Sequence, residues 1–154
     1  MQLQLDSRYD AVVRYIAEAS APGVSPDIQA HLCRFGTVLV CGYVERAVEI
    51  IVIERLTSRA QTRVLNFIRS NFKRGRNLDA SAVAELLNRF DPGWYRKFDT
   101  FINANSRVRD GVSSCYGLRN TIAHGGTASV TAMRLNELLQ AAKDMVDAIV
   151  LATR

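Results

Sequence analysis

The chain has 154 residues, 48% of them hydrophobic and 23% charged, which suits one globular domain over 1–154 and excludes a disordered or fibrous protein. The formal net charge of +5 leaves room for a polyanionic partner such as nucleic acid without requiring one. Cys33, Cys41 and Cys115 make an odd count with no C-x-x-C pair, which argues against a disulfide framework or a cysteine zinc site and fits a reducing cytoplasm.

The opening Met1-Gln2-Leu3-Gln4-Leu5-Asp6 lacks the basic-then-apolar pattern of a signal peptide. Leu5, Tyr9, Val12, Val13 and Ile16 then recur at helical spacing, and Ala21-Pro22-Gly23 ends this first amphipathic helix. Ser25-Pro26-Asp27 is a strong helix start: serine caps, proline suits the first turn, and aspartate complements the positive dipole end. One long helix is predicted from about Pro26 to about Arg55. Its apolar residues reach nearly all faces, so it should be central, with neighbours on two or more sides. Glu45, Arg46 and Glu49 interrupt its most apolar stretch, which argues against a membrane span of ~20 apolar residues. Gly36 and Gly42 each cost such a helix up to ~1 kcal/mol against alanine, a cost usually offset by the close approach of another helix. A second copy of the same helix is one such neighbour, which points to a homodimer.

Thr57-Ser58 reads as the cap of a third helix carrying Val64, Leu65, Phe67, Ile68 and Phe72. Arg69, Lys73, Arg74 and Arg76 make the densest basic cluster in the chain. It suits either an RNA backbone or a solvated helix end whose cations complement the dipole. Leu78-Asp79 opens a short helix, and Asp91-Pro92-Gly93-Trp94 turns into an aromatic segment with Trp94, Tyr95, Phe98 and Phe101 beside Arg96 and Lys97. Aromatics next to cations can stack bases, while the same helical spacing suits a core. Asn103 to Ser106 reads as a connector, with Ser106 as a cap candidate. A helix follows from about Arg107 to His124, ended by Gly125-Gly126. Ser129 could cap a last helix with a clean apolar stripe from Val130 through Met133 and Leu139 to Val150. No strand alternation and no repeat is visible, so the fold class is all-α, a small helical bundle with a long central and a long C-terminal helix.

The stretch Arg119-Asn120-Thr121-Ile122-Ala123-His124 brings a guanidinium, a carboxamide and an imidazole to one helix end. Asn120 and His124 share a face, with Tyr116 a turn earlier on the same stripe, whereas Arg119 and His124 lie about 140° apart round the helix. They converge if the helix unwinds, if the arginine reaches round, or if two copies complete the site. Such groups suit RNA cleavage without a metal. An imidazole takes the 2'-hydroxyl proton, and a guanidinium neutralises charge on the phosphoryl oxygens. The same residues also suit a plain helix stop, with histidine in the last turn and glycine after it. No cofactor motif or metal-ligand constellation accompanies them, and His31 has no assigned role.

This segment resembles the R-x-x-x-x-H signature of the HEPN superfamily, including the polar residue that commonly follows the arginine. The long helix with Gly42-Tyr43-Val44-Glu45-Arg46-Ala47-Val48-Glu49 is similar to a HEPN core helix, and the likeness is strongest to prokaryotic toxin and defence branches. The resemblance implies an α-helical bundle that dimerises, with both R-x-x-x-x-H segments lining one cleft, and metal-independent endoribonuclease activity in many members. It implies His124 as acid–base residue, Arg119 as phosphate-charge stabiliser and Asn120 as positioning group. Glu45, and second Glu49, are candidates for an auxiliary acid from an earlier helix; each also suits an ion pair. Such toxins often pair with a small nucleotidyltransferase antitoxin. Two other readings stand beside this one: a non-catalytic HEPN module that binds nucleotide or RNA or docks on a nucleotidyltransferase, and a purely structural helical dimer. Some toxin members carry a tyrosine two residues after the histidine, where this chain has Gly126.

Overall fold

The computed structural model describes residues 1–72 and 77–154. The described residues form seven α-helices and no strand: α1 (Gln2–Ala19), α2 (Pro26–Thr57), α3 (Thr62–Phe72), α4 (Ala80–Phe90), α5 (Pro92–Ala104), α6 (Ser106–Ala123) and α7 (Ala132–Ala152). The all-α expectation is met. Among the described residues, no helix is long and apolar enough to cross a membrane.

The caps explain most boundaries. The Ser25 hydroxyl accepts from the Ile28 N–H with Pro26 at the first turn, so α2 starts as expected. Asp79 accepts from the Ala82 N–H at 2.9 Å to start α4, and Asp91 accepts from Gly93 and Trp94 to start α5. Three expected boundaries differ. Thr57 and Ser58 close α2 instead of opening α3: the Thr57 hydroxyl donates back to the Ile53 carbonyl, and the Arg59 and Ala60 N–H groups return to Leu56. Ser106 is the first residue of α6, leaving Asn105 alone as the break after α5. Thr131, not Ser129, caps α7, accepting from the Arg134 N–H at 3.1 Å.

Helix α2 is central, packed against α1, α3, α6 and α7. Val40, Ala47, Val48, Ile51 and Val52 are wholly buried on it, each larger side chain contributing ~1.5–3 kcal/mol by leaving water. Helix α7 packs against it and buries Leu135, Leu138, Leu139, Met145 and Ile149 in the core. Met133 stays 73% exposed although it belonged to the expected stripe, because it lies two residues, about 200°, round the helix from Leu135. Trp94, Phe98 and Ile102 enter the core, so two members of the aromatic segment pack inside the bundle with Ile102 beside them. The two glycines of α2 part company. A Cβ on Gly36 would collide with Leu135, and it would meet the Tyr15 ring at 3.3 Å, so α7 and α1 explain that glycine. Gly42 has nothing within 4 Å of an added Cβ.

Candidate functional site

The end of α6 is built by its two glycines. Gly125 adopts φ 75°, a left-handed conformation that costs side-chain-bearing residues ~1–2 kcal/mol. Its N–H bonds the Ile122 carbonyl at 3.1 Å, and the Gly126 N–H bonds Thr121 at 2.9 Å. This pair of bonds is a Schellman motif, which satisfies the last carbonyls and stops the helix sharply. His124 is therefore the capping residue, its N–H bonded to the Asn120 carbonyl and its side chain exposed. The chain after it is pinned by buried Ala128 and Val130 and by Arg34 of α2, whose Nε donates to the Ala128 carbonyl at 2.8 Å.

Arg119 lies on the other side of the same turn. Its Nη1 donates to Asn120 Oδ1 and to Asn77 Oδ1, both at 3.1 Å, and its Nη2 stands 3.9 Å from Glu45 Oε1 on α2. The Arg119 and Glu45 side chains are 31% and 27% exposed, and an ion pair so open to water is worth about 0–1 kcal/mol. The contacts thus orient the guanidinium more than they stabilise the fold. Burial pushes the Glu45 carboxyl above its ordinary pKa of 4.5, with the Arg119 charge opposing. Among the described residues, no hydrogen bond joins Arg119 to the His124 side chain.

One turn earlier, Cys41 and Cys115 bring their sulfurs to 3.5 Å, and the Cys115 thiol faces the Thr37 carbonyl at 3.7 Å. The hydrogen bond to Cys115, then burial, push the Cys41 thiol up. A thiol held protonated in this way, as Cys41 is, is a poor nucleophile and metal ligand. Among the described residues, no group of three or more His, Cys, Asp or Glu could hold a metal ion.

The remaining sequence candidates fall as follows. Tyr116 is buried, its hydroxyl donating to the Cys41 carbonyl at 3.5 Å and its phenol pushed up chiefly by burial. It lies beneath the Arg119 cluster, not on the exposed stripe with His124. Glu49 pairs with Arg46 one turn along α2. Arg69 opens onto a shallow groove shared with Arg46, Glu49 and Glu54. Lys73, Arg74 and Arg76 lie outside the described residues. Asn77 is not among the site residues expected from the sequence. Buried Leu78 and the Asp79 cap anchor the segment beside it, and its carboxamide reaches Arg119, a contact no local pattern announces.

An all-α bundle with an R-x-x-x-x-H segment closing the helix before its last is the architecture of a HEPN-type domain. The chain belongs to the RiboL-PSP-HEPN family, whose model matches residues 3–153. No curated protein and no solved structure matches it.

Proposed function

We propose that this chain is a metal-independent endoribonuclease acting as a cytoplasmic homodimer, with one cleft lined by the R-x-x-x-x-H segments of both copies. The observation that carries the reading is the pairing of an oriented guanidinium with an exposed imidazole at one sharply capped helix end. In the reaction, the neutral His124 imidazole takes the proton of a ribose 2'-hydroxyl. The freed oxygen attacks the adjacent phosphorus, the bond from phosphorus to the 5'-oxygen breaks, and that oxygen leaves with a proton. The products are a 2',3'-cyclic phosphate and a 5'-hydroxyl. Arg119 neutralises the charge gathering on the phosphoryl oxygens, and Asn120 holds the guanidinium or a phosphate oxygen. Glu45 sets the direction of Arg119, and its raised proton affinity equips it to exchange a proton with the site.

The divergence of Arg119 and His124 within one chain supports a site completed by a second copy. Gly42 adds to this, because its face of α2 is open to a close neighbour. A toxin or phage-defence role, held in check by a nucleotidyltransferase-type antitoxin, is the setting most consistent with the motif. A second reading, a non-catalytic module that binds RNA or nucleotide or docks on a nucleotidyltransferase, draws on the same divergence: one copy alone lacks an assembled pair.

The deciding experiment is cleavage of mixed RNA in EDTA by the wild type, Arg119→Ala and His124→Ala, with end-group analysis. Cyclic-phosphate ends are expected from the wild type. Losses of ~10²–10⁴ for His124→Ala and ~10²–10³ for Arg119→Ala are expected from the acid–base and charge-stabilising roles. Absence of cleavage by a folded wild-type dimer would favour the binding module. Cleavage that survives both substitutions would move the site elsewhere.

A further inference from the structure

Helix α3 is strongly amphipathic, yet its apolar face is poorly covered: Leu65 is buried while Val64 is 47% and Phe67 68% exposed. Between α3 and α4 lies a pocket of about 310 Å³ walled by Phe67, Ile68 and Phe72 on one side and by Leu86 and Phe90 on the other. Asn71 and Arg89 bring the polar groups, and the volume falls at the small end of the ~300–1,000 Å³ range of ligand pockets. A smaller pocket of about 110 Å³ shares the Leu86 and Arg89 wall and runs to Asn77 and Glu85. Asn77 is the residue whose carboxamide accepts from Arg119 at 3.1 Å. A continuous surface therefore leads from Arg119, through Asn77 and Arg89, to a ring-lined pocket.

We propose that the α3–α4 pocket is a nucleotide subsite for single-stranded RNA, which stacks a base against Phe67 and holds a neighbouring phosphate at Arg89. The inference rests on the nuclease reading for its choice of polymer and extends it to where the strand runs. The chemistry favours this occupant on two counts. Aromatic rings on both walls with a guanidinium at the rim offer a π-face and a phosphate anchor together, the combination that binds single strands without reading sequence. An apolar peptide side chain would leave Arg89 without use. Arg89 lines both pockets, and the Glu85 carboxylate disfavours phosphate in the smaller one, so the phosphate falls on the ring-lined side of Arg89. Phe67 is largely solvent-exposed, so its removal leaves the core intact.

The test measures binding of a fluorescent 2'-O-methyl oligouridylate to the full chain at several salt concentrations. This probe has no 2'-proton to lose and survives a nuclease. Phe67→Ala is expected to weaken binding about tenfold, or ~1.4 kcal/mol, with the salt dependence unchanged. Phe67→Trp should retain the affinity. Arg89→Gln is expected to flatten the log–log salt slope by about 0.7, the share of one phosphate on a single strand. Unchanged binding in Phe67→Ala, or no binding by the wild type, would overturn the subsite. So would a Phe67→Ala chain that sediments as a monomer where the wild type is a dimer, since the pocket would then belong to a second copy. RNA cleavage in EDTA, run in parallel, separates the two ideas. A wild type that binds through Phe67 but never cleaves keeps the subsite and loses the nuclease; one that cleaves while Phe67→Ala binds normally does the reverse.

Discussion

Glu45 and Arg119 face each other at 3.9 Å, one helical turn beyond Cys41 and Cys115, whose sulfurs stand 3.5 Å apart. Both pairs advance by four residues on each helix, so α2 and α6 run in the same direction and in register here. The buried thiol contact sets how closely the helices approach, and the turn above it inherits that spacing. Arg119 is consequently drawn toward α2, while His124, at the helix cap, faces solvent.

That geometry makes stability depend on pH through Glu45. Its pKa in the folded chain is raised above the ordinary 4.5. A raised carboxyl contributes stability that is full below the unfolded value and is lost as pH rises through the folded one. Relative to Glu45→Gln, the wild type should therefore lose ground as pH climbs from about 4 to 7. Urea-unfolding midpoints of both chains across that range measure it. A gap that is flat, or that widens in favour of the wild type at neutral pH, would mean the Arg119 attraction outweighs burial.

Mixing two inactive chains tests whether the site is shared. If Arg119 of one copy serves His124 of the other, a dimer of Arg119→Ala with His124→Ala holds one intact and one doubly defective site. Random exchange of equal amounts should then restore about a quarter of wild-type cleavage. Sites complete within each chain would give no recovery on mixing.

Gly125 positions His124 by conformation alone, since an added Cβ there meets nothing within 4 Å. Gly125→Ala should cost ~1–2 kcal/mol in unfolding experiments and depress cleavage by unwinding the cap. Gly125→Asn should lose less of both, because asparagine visits the left-handed region more readily. Equal behaviour of the two variants would remove the conformational explanation.

The glycines of α2 should respond in opposite ways. Gly36→Val forces the buried Leu135 aside and should destabilise by ~1–3 kcal/mol. Gly42→Ala meets open space and should leave the chain up to ~1 kcal/mol more stable through helix propensity. Gly42→Arg should weaken the dimer in sedimentation; an unaffected dimer would place the interface on another face.

Much of the fold was legible because helix signals are local. The Ser25-Pro26-Asp27 start, the Asp79 and Asp91 caps and the Gly125-Gly126 stop all act within a few residues. The misplaced boundaries at Thr57 and Ser129 share a cause: several hydroxyls compete within a short stretch, and the backbone geometry selects among them, whereas α6 starts at Ser106 with no side-chain cap at all. The aromatic residues show the limit more sharply. Trp94, Phe98 and Phe67 all recur at helical spacing, yet the first two are buried and Phe67 stands in solvent.

The sequence alone determined the seven-helix pattern of the described residues, the central place of α2 and the R-x-x-x-x-H segment at a glycine-stopped helix end, since periodicity and capping depend on near neighbours. The tertiary structure decided that Glu45 and Asn77 flank Arg119, that Tyr116 lies beneath the cluster, that Gly36 is packed while Gly42 is open, and that a ring-lined pocket opens beside α3. Those facts join residues dozens of positions apart, and they follow from how whole helices dock, which no short-range propensity encodes.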